Sequence, residues 1–580
     1  IPIDGTDDQV QVIKVDAAVD LNRDGEIQFD GSDKTSRDNP YIFWVNNDRD
    51  KEHTVDSTDW EEDDVGVDEQ PEIDAADNTI KCQRDLEDFS RIWLDISGVK
   101  ALMQANQLPQ LDLRVTMEPE TGFPTANLFA SVTPDGGIGY LTDSDAGWQQ
   151  IQNANTESPG YIAGYTSSTG SSLVANRAWN STESGETAHL LFESKSTGAG
   201  RLVFEFSGPQ GLRIKLPPIY VKFKNVWDMY ETWTVGDVPN SGVDYQNTWP
   251  ASVAQKVGGL NLPPPQTDEE KNYILFVHGW NMSPSDKEAF ASTTFKRLWH
   301  QGYKGRLGAF LWPTFWNSSN LIPPALDHFD GSEARAWASA APLAALIGKL
   351  SNTFQSNGTS KVRLYAHSMG NIVASESLRQ RAPFSMVHTY ISAQAAVHSH
   401  MWDNTTPDMP YLPVTPNVYG YYWQPGAVST PNLWKSEDRP SYMDSTYMPS
   451  DTVYINHYNP DHWALNRWQI NTKLKPDNDY FYDITEFKFK KRKNALEFEY
   501  LNFPSDRYEI FAWAAQSRGY PVGQQGATHG KFSGSVNLKD QPFEFDAEHK
   551  GHSAQFRSTV QKRWPYWQKA LRDFELPFNQ

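Results

Sequence analysis

The strongest chemical signal in the sequence is a serine, Ser368, in the run LYAHSMGN at residues 364–371. An apolar strand pattern leads into this serine and a helical pattern follows it. A serine hydroxyl is a poor nucleophile unless a base reaches it, and a tight strand-to-helix turn holds the hydroxyl exposed above a sheet. The small residues Ala366 and Gly370 permit such a turn. The sequence therefore predicts that Ser368 is a nucleophile.

A second run, YILFVHGWN at residues 273–281, joins an apolar strand to a His-Gly turn. Together the two runs resemble the nucleophile elbow and the oxyanion-hole turn of α/β-hydrolase-fold esterases and lipases, with alanine in place of the first glycine of G-x-S-x-G. By this resemblance, the backbone N–H groups of Met369 and of Trp280, or Asn281 in place of Trp280, would stabilise a developing oxyanion. The resemblance implies a serine hydrolase that cuts carboxylic esters through an acyl-enzyme.

In that fold an acid and then a histidine follow the serine, each after a later strand. Asp461 follows the strand-like residues 452–457, so we predict that it orients the base, although it could instead cap a helix. His552 precedes a closing helical pattern and is the predicted base, with His549 and His529 as neighbouring alternatives. Lesser candidates for the acid are Asp403, Asp408 and Asp451.

The chain of 580 residues is longer than one hydrophobic core usually organises, so several domains are expected. We interpret residues 1–90 as an acidic region and residues 91–225, with their short alternating runs, as a β-sandwich-like domain. Residues 226–265 are interpreted as a linker and residues 266–580 as the catalytic α/β-hydrolase domain.

Within the catalytic domain, apolar runs alternate with helical patterns, which indicates an α/β fold with a mostly parallel sheet. Strands are predicted at residues 273–278, 307–312, 362–366, 387–395, 452–457 and 508–514. Helices are predicted at 333–350 and 371–380. A hairpin is predicted within 480–503, with the basic run 488–493 near its tip.

Residues 399–450 are rich in Pro, Tyr, Trp and Asn, and they are too numerous for an ordinary connection. We interpret them as a lid or substrate-binding insertion. Aromatic side chains there would suit lipid, aromatic or sugar esters alike. The predicted substrate contacts are Trp402, Tyr421, Tyr422 and Trp423.

The acidic amino-terminal region contains oxygen side chains at alternate positions around a glycine, in the order of an EF-hand-like loop. Gly31 stands where such a loop usually has a bidentate glutamate. We expect structural Ca²⁺ here, with a solvated acidic loop as the alternative, and no organic cofactor. The predicted ligands are Asp20, Asn22, Asp24, Glu26, Asn46, Asp48 and Asp50.

Composition indicates which classes of partner the protein can bind and where it is expected to act. The net charge of −22 argues against nucleic acid and anionic membranes as partners. With a mean hydropathy of −0.62 and no long apolar run, integral membrane association is not expected. Cys82 is the only cysteine, so no internal disulfide can form. The first residues lack a charged start and an apolar run, from which we expect a mature secreted protein.

Two other functions remain open from the residues alone. A serine peptidase would use the same catalytic groups on amides in place of esters. A non-catalytic protein could bind a glycan or a surface through its β-rich half. Neither the natural substrate nor the oligomeric state follows from the sequence.

Overall fold

The computed structural model describes two main sheets and the helices that pack on them. The residues described are 13–45, 54–55, 71–74, 79–82, 86–154, 161–163, 172–174, 187–236, 249–258, 265, 267–314, 332, 335–397, 448–460, 480–483, 488–492, 498–500, 522–523, 532–543, 545, 549–556 and 559–579.

The first sheet belongs to the amino-terminal half. Its centre is β10 (Thr187–Ser207), which pairs antiparallel with β7 (Asp112–Ala130), β6 (Phe89–Asp95) and β12 (Ile219–Lys224). The other members are β1 (Asp16–Ala18), β2 (Tyr41–Trp44), β8 (Tyr161–Ala163), β9 (Ser172–Val174) and β11 (Arg213–Lys215). A small separate sheet contains β3 (Thr54–Val55), β4 (Pro71–Asp74) and β5 (Thr79–Cys82). This half is therefore rich in β structure with mixed sheets, and a sandwich stays a prediction.

The second sheet has its strands in the spatial order β14 (Gln255–Gly258), β13 (Glu231–Thr234), β16 (Arg306–Leu311), β15 (Tyr273–Val277), β19 (Val362–His367), β20 (Thr389–Ala393), β21 (Val453–Tyr458) and β25 (Phe532–Asn537). Adjacent strands run parallel except β13 with β14. A two-residue pair, β17 (Gln355–Ser356) and β18 (Thr359–Ser360), precedes β19.

Alternating side chains of this sheet face two different cores. Ile274 and Phe276 of β15 lie in one cluster, whereas Leu275 and Val277 lie in the other. The first cluster includes side chains of α4 (Pro284–His300) and α7 (Val560–Asp573), and the second includes those of α5 (Ala340–Thr353) and α6 (Gly370–Gln380). Since successive side chains of a strand point to opposite faces, the sheet is covered by helices on both. Earlier helices are α1 (Ser97–Gln104), α2 (Gly139–Thr142) and α3 (Ser144–Ala154).

The segment interpreted as a linker, residues 226–265, contributes two strands to the second sheet. Trp233 of β13 and Val235 after it are buried in the same cluster as α5. The indole of Trp233 donates to the Tyr273 hydroxyl of β15 at 3.0 Å. These two strands are thus part of the second sheet, and Trp233 and Val235 contribute to one of its cores.

The two halves share one continuous hydrophobic cluster. Trp44 of β2 packs edge-on against Trp299 of α4, with ring centroids 5.0 Å apart. A buried ion pair joins Arg297 of α4 to Glu87 at 3.0 Å, and another joins Lys296 to Asp88 at 2.9 Å. The carboxylates lie on the 3₁₀ turn Leu86–Asp88 of the amino-terminal half.

Two local expectations need correction. The sequence predicts the basic run near a hairpin tip, but Lys488–Arg492 forms β23, the central strand between β22 (Tyr480–Asp483) and β24 (Phe498–Tyr500). β25 was not predicted, because its sequence FSGSVN carries little apolar character at this edge of the sheet. The strand predicted at 508–514 lies outside the described residues.

Candidate active site

The carboxyl ends of β15, β19, β20, β21 and β25 meet at one edge of the second sheet, since these strands are parallel neighbours. Loops that follow such strands converge, and in open α/β sheets ligands bind in the crevice they form. Ser368 follows β19 and the turn of residues 278–281 follows β15. His552 comes after β25, at the end of the 3₁₀ turn His549–His552.

The backbone at Ser368 is held in an unusual conformation. Its φ of 52° lies in the left-handed region, which a non-glycine residue adopts at a cost and only where the surroundings enforce it. The Ser368 N–H donates to Ala393 O at 3.0 Å, so the end of β20 helps to enforce it. The chain then enters α6 at Gly370. This is the strand-to-helix turn that the sequence predicts.

Gly370 is required by close contact between backbones. A Cβ atom at this position would lie 2.3 Å from His278 O and 2.7 Å from Val277 O. Gly279 is similarly restricted, because a Cβ atom there would lie 3.0 Å from Ser368 Cβ. The turn after β15 therefore lies directly against the turn that carries the serine.

The base predicted from the sequence reaches the serine. His552 Nε2 lies 2.7 Å from Ser368 Oγ, which is a hydrogen-bond distance; when Nε2 is unprotonated, the hydroxyl is the donor. Ser368 is only 7% exposed. A nucleophile and a base at this distance can pass a proton directly when the oxygen attacks a carbonyl.

The predicted oxyanion donors belong to two turns that contact each other, one carrying Ser368 and the other Gly279. Met369 is buried and immediately precedes α6, so its N–H lies at the positive end of that helix. Asn281, the alternative to Trp280, donates its N–H to Thr314 Oγ1 at 3.3 Å. This bond commits the Asn281 donor elsewhere and favours Trp280 as the second donor.

His278 stabilises the turn rather than acting as a base. Its Nδ1–H donates to Gly279 O at 2.8 Å, and its Nε2 accepts the Trp312 N–H at 3.1 Å. The ring also stacks on Trp312, with centroids 5.2 Å apart. Burial lowers the pKa of His278 to about 3. The imidazole is consequently neutral over the ordinary pH range, with the tautomer set by its two partners.

Sequence reasoning missed two residues that brace the serine turn. Asn371 Nδ2 donates to Ser368 O at 2.9 Å and to Ala393 O at 3.3 Å, and its Oδ1 accepts the Tyr390 hydroxyl at 2.6 Å. All three contacts are buried. An asparagine in the first turn after the serine was the available signal, because such a side chain readily binds nearby backbone.

Among the acids, Asp461 lies just outside the described residues, two positions after Asn459, whose N–H donates to Gly523 O at 2.9 Å. Asp451 is at the wrong end of the sheet, since it precedes β21 and accepts from the N–H groups of Ser385 and Met386. Also outside the described residues are Asp403, Asp408, Trp402, Tyr421, Tyr422, Trp423, Asn46, Asp48 and Asp50.

A different histidine–carboxylate pair joins β21 to α7. His457 Nε2 is 2.8 Å from Asp573 Oδ2, and His457 Nδ1 is 3.2 Å from the Tyr566 hydroxyl. Asp573 also pairs with Lys569. These contacts fasten α7 to β21, so this pair holds the sheet and its last helix together.

The acidic loop is ordered by contacts within the protein. Asp20 Oδ2 accepts from Arg91 Nη2 at 3.0 Å and from the Gly25 N–H at 3.1 Å, and Asp20 Oδ1 accepts the Asp24 N–H at 3.0 Å. Arg91 Nη2 also donates to Gly25 O at 2.8 Å. Desolvation by burial outweighs the attraction of Arg91 and raises the pKa of Asp20 to about 6.

This arrangement fits a cation only if Arg91 leaves the Asp20 carboxylate. Asn22 Nδ2 donates to Asp24 Oδ2 at 2.9 Å, and Glu26 is exposed. Within the described ranges, no three His, Cys, Asp or Glu side chains are grouped so as to hold a metal ion. The oxygen atoms of the loop are therefore arranged around backbone N–H groups and a guanidinium.

Comparisons with known proteins support the assignment of the serine-bearing region. No curated protein matches the chain significantly in sequence. None of the helices in the described part of the chain has the length and apolarity needed to cross a membrane. Residues 264–394, which contain both β15 and the Ser368 turn, match the family model described as an alpha/beta hydrolase of unknown function (DUF900). The match supports assignment of this part of the chain to the α/β hydrolases.

Proposed function

We propose that the protein is a carboxylic ester hydrolase that acts through an acyl-enzyme on Ser368. The observation that carries this proposal is the 2.7 Å contact between His552 Nε2 and Ser368 Oγ, at a strand-to-helix turn with a φ of 52°. A serine held in this way is positioned for attack and has a base within reach.

The reaction would proceed in two steps. His552 takes the hydroxyl proton as Ser368 Oγ attacks the ester carbonyl, and the N–H groups of Met369 and Trp280 bind the resulting oxyanion. The imidazolium then protonates the leaving alcohol. Water, deprotonated by the same imidazole, attacks the acyl-enzyme and releases the carboxylic acid while Ser368 recovers its proton.

We assign the third catalytic role to Asp461. It follows β21, which lies between β20 and β25 in the sheet. β20 is the neighbour of β19, the strand that leads to Ser368, and β25 precedes the base. A carboxylate at this edge could hold the tautomer of His552 in which Nε2 accepts from the serine. Asp461→Asn should lower kcat by about 10⁴-fold, as removal of the orienting charge does in serine hydrolases of this type.

The decisive test is labelling by a fluorophosphonate probe, run beside a panel of esters that differ in acyl and alcohol parts. We expect wild type to be labelled, and Ser368→Ala to lose labelling and about 10⁶-fold in kcat. Ser356→Ala is a matched control, because Ser356 lies in β17, before β19 and away from the active-site edge, and its hydroxyl contacts Asp268. Full activity in Ser368→Ala would overturn the proposal.

The same assay separates the alternatives. A peptidase would turn over both matched amides and esters, an ester hydrolase would turn over only the esters, and a non-catalytic binding protein would not be labelled at all. Substrate contacts by Trp402, Tyr421, Tyr422 and Trp423 remain part of the proposal, with lipid, aromatic and sugar esters as the classes to compare. Alanine at these positions should raise KM for esters with large acyl groups more than for acetyl esters.

Structural calcium and secretion also remain proposals. The alternate oxygen side chains at Asp20, Asn22, Asp24 and Glu26 support calcium, while the Arg91 contact to Asp20 competes with it. The single cysteine and the many aromatic residues support an extracellular enzyme, which fractionation of the producing cells would test.

A further inference from the structure

A second histidine makes a hydrogen bond to the backbone carbonyl of His552, the predicted base. His367, the residue before the nucleophile, places Nε2 2.6 Å from His552 O. Because a carbonyl oxygen only accepts, the His367 Nε2 must carry a proton and donate it. The two rings are also close, with centroids 4.8 Å apart. His367 therefore holds the main chain of the residue whose side chain meets Ser368.

The His367 ring is confined by its neighbours. It is 2% exposed, and Phe556 packs edge-on against it at a centroid distance of 5.2 Å. Phe290 lies on another side at 6.3 Å. A Cβ atom at Gly279 would approach His367 Nδ1 to 3.1 Å, so the turn after β15 leaves little space for the ring to shift. The donor thus has one well-defined direction.

The carbonyl of Gly551, directly before His552, also accepts a hydrogen bond from a side chain. Gln394 Nε2 donates to Gly551 O, and Gln394 is fully buried directly after β20. Its own N–H donates to His457 O at 2.7 Å, which ties it to β21. Two consecutive carbonyls of the His552 loop therefore accept hydrogen bonds from side chains. One donor, His367, is the last residue of β19, and the other, Gln394, directly follows the neighbouring strand β20.

We infer that His367 is a positioning residue that, together with Gln394, holds the His552 main chain so that Nε2 reaches Ser368 Oγ. This inference rests on the proposed function. The loop that carries His552 is separated by 184 residues from the serine in sequence, so local structure alone does not set the distance between the two. Errors of about 1 Å in such a contact can cost about 10²-fold in rate.

The test compares two substitutions of His367 that differ in hydrogen bonding. His367→Gln keeps an N–H donor near the position of Nε2, whereas His367→Leu removes it. His388→Leu is the control, because His388 precedes β20 at the opposite edge of the same sheet and pairs with Glu575. Rates of fluorophosphonate labelling, kcat and KM for one activated ester, and near-UV circular dichroism are measured for each protein.

We expect His367→Leu to lower kcat and the labelling rate by about 10²-fold with KM unchanged, and His367→Gln to recover at least about 10-fold of that loss. His388→Leu should match wild type. An unchanged kcat in folded His367→Leu, or equal losses in the Gln and Leu variants, would overturn the inference. Equal losses would mean that only packing of the ring matters.

A second variant decides the matter if His367→Leu does not fold. Gln394→Met removes the other donor, and kcat should then fall by about 10-fold with KM unchanged. Wild-type kinetics in Gln394→Met would contradict the joint positioning role. If wild type itself is not labelled, the proposed function fails and this inference with it, whereas a labelled wild type with unaffected variants refutes the positioning role alone.

Discussion

The two sheets of this protein differ in strand length and direction, and the difference explains which one carries the candidate active site. β7 and β10 are 19 and 21 residues long and pair antiparallel, whereas the strands around Ser368 are five or six residues long and parallel. In an antiparallel pair the carboxyl ends lie at opposite edges. Parallel neighbours bring theirs to one edge, where several loops can contribute to a single site.

The amino-terminal half also supplies charged partners to the second half. Its carboxylates Glu87 and Asp88 are the partners of two buried cations on α4, Arg297 and Lys296. Arg297 also donates to Gln555 O at 2.7 Å, three residues after the predicted base. The comparison teaches that one half holds Ser368 and His552, while the other supplies part of the shared hydrophobic cluster and the countercharges of two buried cations.

The largest effect is expected on removing the amino-terminal half. A fragment of residues 226–580 leaves Arg297 and Lys296 without these carboxylates, each at about 3–5 kcal/mol, and uncovers Trp299. We expect it to be insoluble or to lack near-UV circular dichroism and probe labelling. A soluble fragment that is labelled at the wild-type rate would show that the two halves are independent.

Neutralising one carboxylate of a buried ion pair tests the junction between the two halves in the intact chain. Glu87→Gln should lower the free energy of unfolding by about 3–5 kcal/mol, because it leaves the buried Arg297 without a full countercharge. Glu118→Gln, in the exposed pair with Arg201, should cost about 0–1 kcal/mol. Denaturant melts measure both. Equal effects of the two substitutions would argue against a special role of the junction.

Acid should weaken both regions through one buried histidine each. Burial lowers the pKa of His278 at the serine turn, and of His300 at the junction, to about 3. Between pH 6.5 and 3 the unfolded chain binds these two protons and the folded chain does not, so stability falls as pH falls. Each histidine contributes about 1.4 kcal/mol per pH unit, or about 2 kcal/mol from pH 6.5 to 5.

Asp20 acts in the opposite direction. Its pKa is raised to about 6, so between pH 3.8 and 6 the folded chain holds a proton that the unfolded chain has lost, and acid favours folding there. Burial also lowers the pKa values of His189, His388 and His457, so the net expectation is a lower denaturation midpoint at pH 5 than at pH 7. His300 Nε2 lies 2.6 Å from Glu87 O. His300→Gln should reduce this pH dependence, because it replaces the buried imidazole with an amide that does not titrate. A flat profile in wild type would contradict the assignment.

A smaller effect separates the serine turn from the rest of its own sheet. Gly370→Ala forces a Cβ atom against His278 O and Val277 O, which should cost about 1–3 kcal/mol of stability. Labelling should slow as well, because the turn must shift. Gly258→Ala on edge strand β14 meets only Thr232 at 3.4 Å and should leave labelling unchanged. Equal labelling of both variants would mean that the turn tolerates the shift.

Calcium is expected to have the smallest effect. With a Kd of about 10⁻³ M, as in weak extracellular modules, about 5 mM Ca²⁺ would stabilise the fold by about 1 kcal/mol. The expected result is a small rise in Tm that a chelator reverses and that Asp20→Asn abolishes. No change in Tm on adding Ca²⁺ would indicate that Arg91 alone completes the loop.

Much of the second sheet could be read from local patterns. The strands predicted at 273–278, 362–366 and 452–457 correspond to β15, β19 and β21 within one or two residues, because buried parallel strands are continuous apolar runs. β13 and β25 were missed, since edge and near-edge strands bury fewer apolar residues. The lysine-rich segment that forms β23 is predicted near a hairpin tip, because a run of charged residues indicates a solvent-exposed segment.

By itself the sequence determined the turn at Ser368 and the groups available to it, because small residues after an apolar strand restrict the chain locally. Only the tertiary structure decided which groups meet: His552 with Ser368, His367 with the carbonyl of His552, and Arg297 with Glu87 across 210 residues. Contacts of this kind depend on how distant elements pack, and local periodicity carries no record of them.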